Sequence, residues 1–355
     1  MRKTLGAVAA LGAAALLLAA CSSSNGNANS ASPTASVAKT KVCMVSDTGG
    51  IDDRSFNASA WLGLQAAAKT LPVEASFLES KSASDYAPNI NNEIQQGCKL
   101  IVTVGFTLAD ATYAAAQANP SVDFALVDST TTKPLPNVRP LLFATEQPSF
   151  AAGYLAAGMT KTGKAGTFGG LDIPPVTSFM TGFYQGIQYY NTQKGSKVSL
   201  LGWNAAKPAA STFAGSFTDT AKGQTIGANF ITQGADMIFP VAGGTGLGGL
   251  AAVKAANSPS TAGIWVDSDG YYTAPQYRAQ LLTTVVKGIN IAVFDTVNLL
   301  VSNKWTNTSF VGTLANKGVS LAPYHDWASK VPSQLKADVA KVQADIASGT
   351  ITVQP

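Results

Sequence analysis

Short apolar runs and amphipathic stretches alternate along the chain from about residue 41. KVCMVSD (41–47) reads as a strand, SFNASAWLGLQAAAKTL (55–71) as a helix, and 76–79 as a second strand. A helix over Tyr86–Gln96, the strand LIVTVG, a helix over Ala109–Ala118 and the strand DFALVD follow. Apolar runs of this length between helices predict buried parallel strands.

After RPLLFATEQPSF the rhythm restarts. AAGYLAAGM reads as a helix, GKAGTFGG as containing a strand, VTSFMTGFYQGIQYYN as a helix and KVSLLGW as a strand. TAKGQTIGANFITQG, LGGLAAVKAAN and the strands DMIFPVAG and GIWVDSD complete the second unit. The βαβ rhythm predicts an α/β chain of two doubly wound parallel-sheet lobes joined by a hinge. Lobe one is expected over 41–145 plus 271–310, and lobe two over 146–270. The segment 311–355 contains QLKADVAKVQADIASG, with Leu335, Val339, Val342 and Ile346 at helical spacing. That helix packs on one lobe or the other.

In open α/β sheets ligands bind beyond the carboxyl ends of the strands. SDTGG, VGFTLAD, VDS, VAGGTG and VDSDG all stand at such ends, so a cleft between the lobes is the expected site. Asp47 would offer an acceptor there, Phe56 a ring face, and Ser55 or Asn57 a helix cap. The glycines do not form GxGxxG, and no P-loop lysine follows. An acidic, aromatic mouth disfavours phosphate and favours a neutral polar ligand.

The N-terminus changes where this body must work. MRKTLGAVAALGAAALLLAACSSSN has a basic start, an apolar run too short to span a bilayer, and Leu-Ala-Ala-Cys at its end. That ending resembles a bacterial lipobox. Residues 1–20 are expected to be a lipoprotein signal peptide, with Cys21 the lipidated mature terminus. Residues 21–40, rich in Ser, Asn and Ala, form a flexible tether. The location is thus extracytoplasmic, at the outer face of the cell membrane.

Composition narrows the chemistry. Charged residues make up only 12% of the chain and the net charge is +4 without a basic block, which argues against nucleic acid. His325 is the one histidine, so a His-centred triad or His-ligated metal is hard to build. Cys43 lies in the first expected strand, VCMV, and Cys98 immediately precedes the expected neighbouring strand LIVTVG. A disulfide and two buried thiols are both open in an exported chain, whereas the missing CxxC spacing argues against metal.

DTGGIDDRSFNASAW resembles the opening motif of the basic membrane protein family of lipoproteins. VGFTLADA, NPSVDFALVDS, ATEQPSFAAGYLAA, PPVTSFMTGFYQGIQYYN, GSFTDTAKGQ, QGADMIFPVAGGTG and LLTTVVKG continue the resemblance in order, over roughly 41–300. It implies a type I periplasmic-binding-protein fold and a receptor for a nucleoside, most often a purine. The receptor would serve an ABC importer's permease and its ATPase. A monomer without cofactor is expected, and no catalysis.

By motif, Phe56 and Phe217 match the family's stacking pair. Asp267 matches the ribose-binding carboxylate, with Asp269 as the alternative. Lys287 matches the family lysine, and Gly243 lets ribose approach the backbone. Asp128 and Asp110 compete for the base edge. Two positions depart from the family pattern. Thr48 stands where Asn can stand, and Gly270-Tyr271-Tyr272 stands where Gln commonly follows, at a hinge or cleft rim. Two other readings are a sensor that signals without transport, and an exported nucleoside hydrolase holding calcium on Asp47, Asp52 and Asp53.

Overall fold

The computed structural model describes residues 39–355. The expected signal peptide, Cys21 and nearly all of the tether lie outside them. Among the described residues no helix is long and apolar enough to cross a membrane.

The first sheet has six strands: β1 (Thr40–Ser46), β2 (Val73–Leu78), β3 (Leu100–Val104), β4 (Asp123–Val127), β5 (Val138–Phe143) and β11 (Phe310–Gly312), in the order β11-β5-β4-β3-β1-β2. All its pairings are parallel. Every residue of LIVTV in β3 is buried, as expected for a strand covered on both faces. Helices α1 (Phe56–Thr70), α2 (Tyr86–Gln95), α3 (Ala109–Ala118) and α9 (Ile289–Val301) complete this lobe. Ile289, Ala292, Val293 and Val297 share one core with Leu64 and Val102.

The second sheet holds β6 (Lys164–Gly169), β7 (Ser199–Leu201), β8 (Met237–Val241), β9 (Ala262–Asp267), β10 (Leu281–Lys287) and β12 (Val319–Leu321), in the order β12-β10-β9-β8-β6-β7. Only β12 runs antiparallel, against β10. Its helices are α4 (Glu146–Met159), α5 (Pro174–Lys194), α6 (Thr220–Thr232), α7 (Gly243–Ala256), the single turn α8 (Gly270–Thr273) and α10 (Ser333–Ala347). Glycines bring these helices together. A Cβ at Gly186 would lie 1.9 Å from the Phe150 carbonyl, and one at Gly223 1.9 Å from that of Thr245. These are the α4/α5 and α6/α7 crossings.

One boundary differs from the sequence reading, and one open assignment is decided. The segment 271–287 belongs to lobe two, because β10 pairs with β9 along Leu281–Val286. The return to lobe one comes at Gly288. The C-terminal helix packs on lobe two, where Leu335, Val339, Val342 and Ile346 join the core of α4 and α5. Strand β5 was hidden in RPLLF by Pro140 and by its place at the crossing. The chain crosses between lobes three times, at 144–145, at Gly288 and over 313–318. The last two crossings meet: Gly288 N donates to Gly318 O at 2.9 Å.

Cys43 in β1 and Cys98 before β3 are joined as a disulfide. Parallel pairing of β1 with β3 brings them together. Glu93 is the third member of this cluster, which among the described residues is the group of potential metal ligands. Its two sulfurs are spent on each other.

Candidate ligand-binding cleft

Strand ends from both sheets converge on one cavity. It is narrow, with an enclosed volume of about 60 Å³. Asp47, Phe56, Asn57, Asp128, Phe217, Gly243, Asp267 and Lys287 all line it. Asp47 follows β1, Asp128 follows β4, Asp267 ends β9 and Lys287 ends β10.

The lobe-one wall begins with a turn. Asp47 Oδ1 accepts from Gly49 N at 2.9 Å and from Asn57 Nδ2 at 2.8 Å. Gly105 follows β3 at φ +124°, and a Cβ there would sit 2.9 Å from Asp47 Oδ2. Glycine is required on both counts. Asp53 holds the first turn of α1, accepting from Ser55 N, Asn57 N and Ala58 N at 3.0, 2.7 and 3.1 Å. Asn57 Nδ2 adds a fourth donor at 3.2 Å. Asn57 Oδ1 is buried and accepts nothing among the described residues.

On the lobe-two wall, Phe217 packs against Gly170, where a Cβ would come within 2.3 Å of the ring. Its carbonyl accepts from Thr245 N at 2.9 Å. Val176 and Phe179 of α5 line the same wall. Phe56 packs against the lobe-one core and Phe217 against the lobe-two core, each half-buried.

Lys287 bridges the walls. Its ammonium pairs with Asp128 of lobe one and stands 3.9 Å from Asp267 Oδ1 of lobe two. It also stands 4.7 Å from the Phe56 ring centroid and 5.7 Å from that of Phe179, within cation–π reach. Asp128 and Asp267 both take positive φ, 65° and 64°. Sparse backbone conformations of this kind cluster at ligand clamps.

Four carboxylates and one ammonium share the cavity. Burial pushes Asp267 up to about 6, with Lys287 pulling the other way. Burial pushes Asp53 up to about 7 against its backbone donors, and it also raises Asp47. Each cost is a driving force for a ligand that donates hydrogen bonds to carboxylates.

Three weaker candidates stand outside the lining. Asp110 is exposed on α3, and Thr48 is half-buried in the turn. Asp269 instead caps α8 through Tyr271 N at 3.1 Å and pairs with His325 at 2.8 Å. The calcium reading fails on geometry: Asp47 and Asp53 are occupied by N–H donors, and Asp52 points to solvent. Asp53, Phe106, Val176 and Phe179 were not singled out as ligand contacts. The only sequence signal was Asp53 standing four residues ahead of Asn57.

The model of the family described as "Bmp: ABC transporter substrate-binding protein PnrA-like" matches residues 40–354. The chain belongs to this family. It is 35% identical to the ABC transporter nucleoside-binding protein BmpA of Lactococcus lactis subsp. cremoris, over 99% of each chain. An uncharacterized lipoprotein of Pyrococcus furiosus is 32% identical over 75% of this chain and 66% of its own. A solute-binding protein of an ABC transporter system from Aeropyrum pernix K1 superposes with a TM-score of 0.80 at 26% identity, covering 88% of this chain and 92% of that one. This family member thus has the type I periplasmic-binding-protein fold and is an ABC transporter substrate-binding protein.

Proposed function

We propose that this substrate-binding protein takes a nucleoside, most naturally a purine nucleoside, between its lobes and hands it to an ABC permease driven by a cytoplasmic ATPase. The observation that carries this is the single cavity that gathers Phe56, Phe217, four carboxylates and Lys287 from both walls. Its relative in L. lactis is named for nucleoside binding, and the cavity's chemistry suits that ligand.

A planar base would stack between the two rings, each contributing about 1–3 kcal/mol. Asp47, Asn57 and Asp128 stand where base-edge donors would end. Asp267, Gly243 and Lys287 stand where a ribose would lie, a carboxylate accepting from two hydroxyls while the ammonium donates. A 5′-phosphate would add negative charge to four carboxylates with one cation between them, so nucleotides are excluded. Binding closes the lobes by hinge motion at the three crossings, and no bond of the ligand is broken. Cys21 carries the lipid, and the protein works as a monomer outside the cytoplasm.

A thermal-shift screen of the purified chain against nucleosides, free bases, sugars and nucleotides tests this. Binding at one hundred times Kd stabilises by about 2.7 kcal/mol. A shift with purine nucleosides and none with their 5′-monophosphates is expected. A shift with sugars or nucleotides alone would overturn the reading, as would release of free base from the nucleoside.

A further inference from the structure

The lobes also touch outside the cavity. Ser268 Oγ of lobe two donates to Ser55 O of lobe one at 3.1 Å, and Arg54 Nη1 of lobe one donates to Thr273 O of lobe two at 3.3 Å. The lobe-one partners are adjacent in sequence. The lobe-two partners bound one six-residue turn, 268–273, which begins one residue after the cavity's Asp267.

That turn is braced from behind. The Asp269 backbone carbonyl accepts from Tyr272 N and Thr273 N at 3.0 and 3.1 Å. Gly270 N donates to Thr284 Oγ1 at 3.1 Å. Asp269 Oδ2 lies 2.8 Å from His325 Nε2, brought in by the C-terminal segment. The Tyr271 ring stacks on the imidazole with centroids 4.1 Å apart and planes 14° from parallel. The Arg278 guanidinium lies 4.6 Å from the Tyr271 centroid. The Tyr271 hydroxyl donates to Asp326 Oδ1 at 3.3 Å. Arg54 and His325 both sit at positive φ, 57° and 41°. Strained non-glycine residues persist only where surrounding contacts fix them, and they concentrate at clamps and switches.

We propose that Arg54, the turn 268–273 and its His325–Asp269 brace form a closure latch: positioning residues that hold the lobes shut over the ligand without touching it. The latch rests on the reading of the cavity as a ligand site closed by lobe motion. Its two hydrogen bonds cross between lobes that part on opening, so they favour the closed state alone. Exposed hydrogen bonds of this kind are weak unless their geometry is fixed beforehand. The stack of imidazole, phenol and guanidinium supplies that rigidity, and it holds Thr273 O in Arg54's path.

A latch slows escape and leaves entry unchanged. With adenosine as probe, stopped-flow kinetics on His325→Gln and on Arg54→Ala should each show dissociation roughly three- to tenfold faster at an unaltered association rate. The double variant should dissociate no faster than the faster single one, because both changes remove the same contact. Multiplicative effects in the double variant, or wild-type dissociation in both single ones, would overturn the latch.

A second readout needs no ligand. Spin labels at Lys69→Cys and Lys222→Cys, one exposed site on each lobe, report the interlobe distance by double electron–electron resonance. The short-distance population should fall in His325→Gln. A wild-type chain that binds no adenosine or other nucleoside ends the nucleoside reading and leaves the latch to this distance. A population unchanged by the substitution, a fully open wild type included, then ends the latch too.

Discussion

The two walls of the cleft are built on different principles. Lobe one presents Asp47, Asp53, Asn57 and Asp128, polar groups aimed by hydrogen bonds from a glycine turn and the first turn of α1. Lobe two presents Phe217, Phe179, Val176 and Gly243, aimed by shape, with a ring resting on Gly170 and glycine-spaced helices behind it. A hydrogen bond fixes a direction, so carboxylates need donors; packing fixes a plane, so rings need close contact. The division has exceptions: Phe56 and Phe106 are lobe-one rings, and Asp267 and Lys287 are lobe-two charges, the lysine spending its own on lobe one. The lobes also differ in their staples, a disulfide in lobe one and glycine-mediated helix contact in lobe two.

The sharpest way to break this arrangement is at the bridge. Lys287→Met would leave Asp128 and Asp267 buried without their cation. We expect a loss of about 3–5 kcal/mol, the cost of opening a buried pair, measured by urea denaturation, together with loss of binding. A loss below 1 kcal/mol would show that the two acids are not held as charges.

Next comes the staple. The Cys43→Ala, Cys98→Ala double variant releases a crosslink between positions 55 residues apart. The expected cost is about 2–4 kcal/mol, with hydrogen exchange accelerated in β1 and β3 and unchanged in β6 and β8. Uniform acceleration across both sheets would mean that the lobes do not differ in this way.

The two rings, one on each wall, should respond mainly through affinity. Phe56→Ala and Phe217→Ala should each weaken adenosine by about 1–3 kcal/mol, read by calorimetry, with the ligand-free melting temperature nearly kept for Phe217. Wild-type affinity in both variants would refute the stacked base.

The smallest effect is a pH slope. Asp53 moves from 3.8 to about 7 on folding, so the folded chain keeps a proton that the unfolded chain releases above about pH 4. Its contribution to stability is full below that point and lost as pH rises to about 7. Asp53→Asn should therefore flatten the melting-temperature profile between pH 5 and 7 relative to wild type. Parallel profiles would show that Asp53 is ionised in the fold.

Much of the site was legible because strand ends announce themselves. Apolar runs such as DFALVD and GIWVD end in the acids that line the cavity. Phe56 and Phe217 stood in motifs that carried the family resemblance. What escaped was what depends on another segment. Phe179 looks like any core residue of an amphipathic helix until α5 meets β8. Asp269 and Asp267 are equivalent in VDSD, and only His325, arriving from the far end of the chain, draws one away from the cavity. Strand β10 reads as the start of a return to lobe one until its pairing with β9 keeps it in lobe two.

The sequence alone determined the alternation of strands and helices, the two-unit rhythm, and the kinds of side chain at the strand ends. Periodicity and turn chemistry are local, so they survive without the fold. Tertiary structure decided which carboxylates face the cavity and which face water, where Lys287 spends its charge, and how the lobes meet at Arg54 and Thr273. Burial, ion pairing and backbone strain depend on neighbours that lie far away in the chain.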